Sequence, residues 1–145
     1  MAEVIIALGV ISSVISCIEM GAKVADRLGY YLSRTKSPPQ IFITLHDTIP
    51  LLITTFEEIR DACDDGRLDA KAQKRLTKTV EGCYRLVTIL EEFLNECLPA
   101  EGDSFSQKTK KAIKSIRAEK TIGEIQRTLE TYVLEANYAH HTTEH

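Results

Sequence analysis

The side chains able to do chemistry here are four histidines, four cysteines and two runs of opposite charge. His141 and His145 stand four apart, the spacing at which two imidazoles on a helix can share a metal ion. No cysteine or carboxylate is placed to complete a site, so residues 141–145 read as a polar C-terminal tail, and His46 and His140 add nothing to a metal site. Cys17, Cys63, Cys83 and Cys97 are widely spaced, lie in apolar helical surroundings and form no C-x-x-C pair. They read as reduced core thiols, since a nucleophilic thiolate needs a nearby histidine and an electropositive setting. There is no phosphate-cradling glycine loop, no G-x-S-x-G and no H-E-x-x-H. The expectation is a protein that is not an enzyme, with no catalytic residue, no cofactor and no metal.

The charge runs are more informative. Lys108, Lys110, Lys111, Lys114, Arg117 and Lys120 are opposed locally only by Glu119, in a chain whose formal net charge is −3. Such a stretch serves as a solvated face, or as a contact for anionic lipid headgroups, where each basic residue contributes about 1 kcal/mol near the surface. The acidic stretch Glu57, Glu58, Asp61, Asp64, Asp65 and Asp69 offers a third role, pairing with the basic one between subunits or within the fold. A net acidic chain does not favour nucleic acid as a partner.

At 145 residues, 43% hydrophobic and 27% charged, the chain has the length and composition of one globular domain able to bury a core without disulfides. Its elements are helical throughout, and no strand-like alternation occurs. A first segment, about Ala2–Ser33, ends before Ser37-Pro38-Pro39. A second follows Ile41, Leu45, Ile49, Leu52, Phe56, Ile59 and Cys63, keeps its phase across Pro50, where a kink is expected, and closes at Gly66. A third starts near Asp69 and repeats Ala72, Leu76, Val80, Cys83, Val87, Leu90, Leu94 and Cys97 before Pro99. A fourth, Ser104 to about Glu119, is expected to turn Phe105, Ala112, Ile113 and Ile116 inward. A fifth follows Ile122, Ile125, Leu129, Tyr132, Ala136 and Ala139, and the two can act as one broken helix. The fold class is therefore all-α: an up-and-down four- to five-helix bundle over residues 1–140, with a long apolar N-terminal helix and a Pro-kinked second helix.

The first helix is the unusual element. Val4 to Ile18 carries no charge, and small residues recur every four positions at Gly9, Ser13, Cys17, Gly21, Ala25 and Gly29, a ridge on which another backbone can approach closely. Val4, Leu8, Ile11, Val14, Ile15 and Ile18 are read as sharing one apolar face, which Ile5, Ile6, Val10 and Val24 widen or adjoin. The uncharged run reaches roughly 22 Å against a hydrocarbon core of about 30 Å. Extending it would bury Glu19, Lys23, Asp26 and Arg27, so a resident membrane span is not expected. Neither a basic start with a cleavage site nor a myristoylation glycine is present, which points to the cytoplasm.

The start Met1-Ala2-Glu3, the run Leu8 to Ser16, Lys23-Val24, Ile49-Pro50-Leu51-Leu52, Glu81-Gly82-Cys83 and the Lys110–Lys120 stretch together resemble the SesA type of fungal N-terminal domain. That family is related to HeLo and HeLo-like domains and heads NACHT and other P-loop NTPase receptors of the NOD-like kind. The resemblance extends from Met1 to about Tyr138 and rests on patterns of small and apolar residues. It implies a signalling or effector domain of non-self recognition and programmed cell death, with an NTPase receptor module or upstream receptor as partner. It also implies self-association on activation, release of the first helix and conditional recruitment to the plasma membrane. The inserting segment would be Val4 to Ile18, including Val4, Ile5, Leu8, Ile11, Val14, Ile15 and Ile18, with Gly9, Ser13, Cys17 and Gly21 as its packing ridge. The alternative is a soluble helical adaptor in which the first helix stays buried and partners bind a groove or a second copy.

Overall fold

The computed structural model describes the backbone of residues 2–100 and 102–143 and the side chains of residues 9–100 and 102–139. Four helices follow one another: α1 (Ala2–Arg34), α2 (Gln40–Asp64), α3 (Ala70–Cys97) and α4 (Phe105–Thr143). The five apolar segments thus form four helices. The fourth and fifth make one 39-residue helix, which passes Gly123 without interruption.

Their boundaries have local causes. Pro39 is the N-cap residue of α2, fixed in an extended conformation that leads into the first turn. α2 runs through Pro50, whose ring lies on the exposed face. The turn after α2 needs a left-handed residue, and Gly66 supplies it at φ +67°. Asp69 then caps α3, its carboxylate accepting the Ala72 amide at 2.7 Å. α4 opens with a reciprocal capping box: the Gln107 amide donates to Ser104 Oγ at 3.1 Å and the Ser104 amide donates to Gln107 Oε1 at 2.7 Å.

Direction follows from cross-helix neighbours. Tyr31 meets Phe42 edge-on with ring centroids 5.3 Å apart, and a Cβ on Gly21 would stand 3.2 Å from Ile53, so α1 and α2 are antiparallel. Cys17 lies against Cys83 and Arg27 against Leu98, so α1 and α3 are parallel. Gly82 faces Tyr132, which together with the short α3–α4 connection makes those helices antiparallel. Ile41 lies by Gly123, and Thr48 accepts a bond from Gln126 at 3.3 Å, so α2 and α4 are parallel. α1 packs on α2 and α3, and α4 packs on the same two from the other side; α1 and α4 therefore occupy opposite corners of an up-down-up-down square.

The core is the apolar stripe of each helix. In α3 every residue of the series from Ala72 to Cys97 is buried, and in α2 the series from Leu45 to Cys63 is buried with Phe42 added. α1 contributes Val10, Val14, Cys17, Gly21, Val24 and Leu28, spaced alternately four and three. That is the seam of closely packed, nearly aligned helices. α4 contributes Ile122, Ile125, Leu129, Val133 and Ala136.

The start of α4 departs from the expected inward pattern. Phe105 is 87% exposed, Ile116 71% and Ile113 49%, and Ala112 is exposed too. Ser115 and Ala118 are the buried positions there. Periodicity identifies a stripe but needs a neighbour to bury it. Gly123 is level with Ile41, the second residue of α2, so α4 before about residue 120 stands beyond the end of α2. α3 stops at Cys97, close enough to Lys114 for their charges to interact. The first turns of α4 therefore project past the ends of α2 and α3, with the end of α1 beside them.

Candidate functional site

α1 carries one group of candidate residues. Val14, Cys17 and Gly21 are buried, Ile11, Ser13 and Ile18 are half-buried, and Gly9 and Ile15 are exposed; Val4, Ile5 and Leu8 lie outside the described side chains. The small-residue series is thus not one packed ridge. Four residues advance about 400° around a helix, so a strict every-fourth series winds by about 40° per step and leaves the contact face. Cys17 and Gly21 fall in the seam. At Gly9 a Cβ would meet nothing within 4 Å, whereas at Gly21 it would touch Ile53 and Leu52 of α2.

Two interactions hold α1 on α3. The Arg27 guanidinium donates to the carbonyls of Leu98 at 2.8 Å and Pro99 at 3.1 Å, leaving only its buried Nε without a partner. Deeper in, Cys17 and Cys83 are fully buried and hydrogen-bonded to each other; that bond and the burial around it push the Cys83 thiol well above its ordinary pKa. Burial likewise raises the Cys63 and Cys97 thiols, and Asp64 and Glu96 add to the effect. All four cysteines are free and buried, and burial suppresses the thiolates of Cys63, Cys83 and Cys97 rather than activating them.

The second group lies on the projecting start of α4. Lys111 is tied down: its ammonium reaches Asp103 at 2.6 Å, and the same carboxylate accepts the Ala100 amide at 2.8 Å. These bonds hold the Asp103 carboxyl below the usual carboxylate range. Lys108, Lys110, Lys114, Arg117 and Lys120 are exposed. Beside them a cavity of about 410 Å³ opens between the end of α1 and the start of α4, lined by Tyr30, Tyr31, Arg34, Thr35, Gly102 and Lys108. Arg34 stacks on Tyr30 at 3.9 Å.

The acidic stretch sits elsewhere. α2 and α4 are parallel, so Asp61–Asp69, at the end of α2 and in the following turn, occupy the opposite pole from Lys108–Lys120. The separation is about 35 Å, the length of α2. Pairing of the two patches within one bundle is therefore excluded. Asp61 instead meets Arg60 at 3.3 Å, Asp65 meets Arg67 at 3.4 Å, and Asp69 caps α3.

Among the described residues no three of His, Cys, Asp and Glu are grouped to hold a metal ion, and no helix is long and apolar enough to cross a membrane. His145 lies outside the described residues, so the His141–His145 pairing does too. Sequence reasoning missed the outward apolar stripe of α4 and the Arg27 bridge. The Ser104-x-x-Gln107 signature was readable and marks where the projecting helix begins.

Four long helices in an up-down-up-down square, with the chemistry confined to surface charge and buried thiols, define an all-α bundle domain. The chain belongs to the SesA family: the family model, described as the N-terminal domain on NACHT NTPases and P-loop NTPases, matches residues 11–134. It is thus a receptor-associated signalling domain, of a kind carried at the N-terminus of NTPases. No curated protein and no solved structure gives a match.

Proposed function

We propose that this domain converts clustering of an NTPase receptor into an output by releasing α1 from its bundle, so that α1 seams of several copies associate with one another and with the plasma membrane. The setting is the one the family resemblance implies, fungal non-self recognition and regulated cell death, with a cytoplasmic resting state. The observation that carries this reading is the α1 seam of Val10, Val14, Cys17, Gly21, Val24 and Leu28. A four-three series with small residues at its centre suits close packing against α2 and α3, and suits helix–helix packing in lipid equally well. Glu19, Lys23, Asp26 and Arg27 weigh against a lone α1 in a bilayer, so association of several copies is part of the mechanism.

The test is vesicle flotation and dye leakage, with and without a chemically induced dimeriser fused to the domain. Wild type should leak vesicles only when clustered. Gly21→Leu, which crowds the seam, should change leakage more than the paired changes Gly9→Leu and Ser13→Leu. Absence of lipid association under every clustering condition removes the membrane step and leaves a soluble adaptor. That second reading has its own support in the groove between α2 and α4, where Leu51 is 63% and Leu134 is 69% exposed around a cavity of about 210 Å³.

A further inference from the structure

We infer that the projecting start of α4 is an interfacial helix by which the folded domain, with α1 still in place, docks on an anionic lipid surface. Phe105, Thr109, Ala112 and Ile116 recur at intervals of four, three and four, and Ile113 widens the line; the Thr109 hydroxyl is used on the Phe105 carbonyl at 2.9 Å, so a largely apolar stripe runs down this segment. All five residues are exposed, and α2 does not reach them because it begins only at the level of Gly123. Lys110 and Arg117 edge one side of the stripe, Lys108 and Glu119 the other, and Lys120 follows Ile116 on the line itself, all exposed. An apolar line flanked by an excess of long cationic side chains, four against one carboxylate, is the pattern of a helix lying in a headgroup layer. The rings and branched chains enter the acyl boundary while the lysine stems bend back to the phosphates.

Charge decides between occupants. An isologous contact between two copies would bring together two faces that are each net positive, four cations against the one carboxylate of Glu119, and like charges oppose it. An anionic bilayer meets that net charge with opposite charge and the stripe with hydrocarbon. The same pole carries the cavity lined by Arg34, Lys108 and Thr35, which adds a basic recess beside the stripe where a headgroup can sit. Lys111 takes no part, since Asp103 already neutralises it; that bond instead fixes the helix to the loop before it. The inference is independent of α1 release, because none of these residues belongs to the α1 seam.

The experiment is sedimentation of the whole chain with vesicles of phosphatidylcholine alone, and with about a third phosphatidylserine. The variants are Phe105→Ser with Ile116→Ser, and Lys110→Glu with Arg117→Glu, each checked for unchanged helical circular dichroism. Wild type should bind the anionic vesicles and release from them in high salt. Either double variant should weaken binding roughly tenfold or more, as loss of the apolar or the electrostatic half of an interfacial helix requires. Cys17 should stay shielded from thiol reagents in the vesicle-bound state, which separates this docking from release of α1. The inference is overturned by equal binding of wild type and both variants. It is overturned as well by no binding to anionic vesicles, or by a stripe variant that changes only the oligomeric state in solution, which would assign the face to a second copy. Capture of an acidic peptide with no response to anionic lipid would assign it to a protein partner.

Discussion

Arg27 of α1 reaches across to Leu98, donating to its carbonyl at 2.8 Å just beyond the end of α3. Carbonyls at a helix C-terminus lack intrahelical partners and carry the negative end of the helix dipole, so a guanidinium placed there satisfies both needs. The same side chain takes the Pro99 carbonyl at 3.1 Å, and so ties α1 to the loop that leads into α4.

Arg27→Leu should therefore leave two carbonyls without their donors and loosen α1 more than the other helices. Charge-assisted bonds of this kind contribute about 1.5 to 3 kcal/mol. The expected outcome is an unfolding free energy from urea titration lower by about that amount, with hydrogen-exchange protection falling first along α1.

Gly9 and Gly21 belong to one series and should respond oppositely. Gly9→Ala has open space and should stabilise by up to about 1 kcal/mol through helix propensity. Gly21→Leu should destabilise by about 1 to 3 kcal/mol, because even a Cβ there already presses on Ile53 at 3.2 Å. Thermal unfolding of the two variants compares them directly.

The Asp103 carboxyl is held low by the Lys111 ammonium and the Ala100 amide, so the ionised form is the one bound in the folded state. A lowered carboxylate pKa stabilises the fold above the range where a free aspartate titrates, about pH 4, and loses that contribution as pH falls through the folded value. Acidification below about pH 4 should release Lys111 and fray the first turns of α4 while the α3 amides stay protected. Asp103→Asn should show the frayed behaviour at neutral pH; exchange measured by NMR at Lys111 and Ala112 reports both.

Cys17 and Cys83 face each other across the α1–α3 contact and are sealed together. Thiol labelling should find both slow in the resting domain. Conditions that detach α1 should speed the two in parallel; independent rates for Cys17 and Cys83 would show that they are not opened by one movement.

The sequence made α3 legible in full, and the reason is geometric. α3 touches both α1 and α4 along its length, so each residue of its apolar period meets a neighbour, and Asp69 and Pro99 mark its ends through capping and ring chemistry. α2 was nearly as plain, except that half-buried Ile41 stood for the start of a series whose alternating three-four spacing is continued by the buried Phe42, three before Leu45. Phe105, Ile113 and Ile116 obey the same periodicity and yet face solvent, because period is a property of one helix and burial a property of two. The α1 seam was displaced for a related reason. A helix apolar on most sides offers several faces, and only the positions of α2 and α3 select the one through Val10 and Leu28. The Arg27 bridge had no signature at all, since a carbonyl 71 residues away is invisible to local pattern.

The connection Thr35–Pro39 between α1 and α2 lies at the same pole as the projecting start of α4, because α1 ends there and α3 ends beside it. Under the proposed release of α1, that placement would make the connection a fulcrum: a 33-residue rod of about 50 Å swinging on five residues would keep its C-terminal end in place while its apolar tip travelled along an arc. A surface resting against that pole would then touch the fulcrum from the outset, with the whole rod within reach of it.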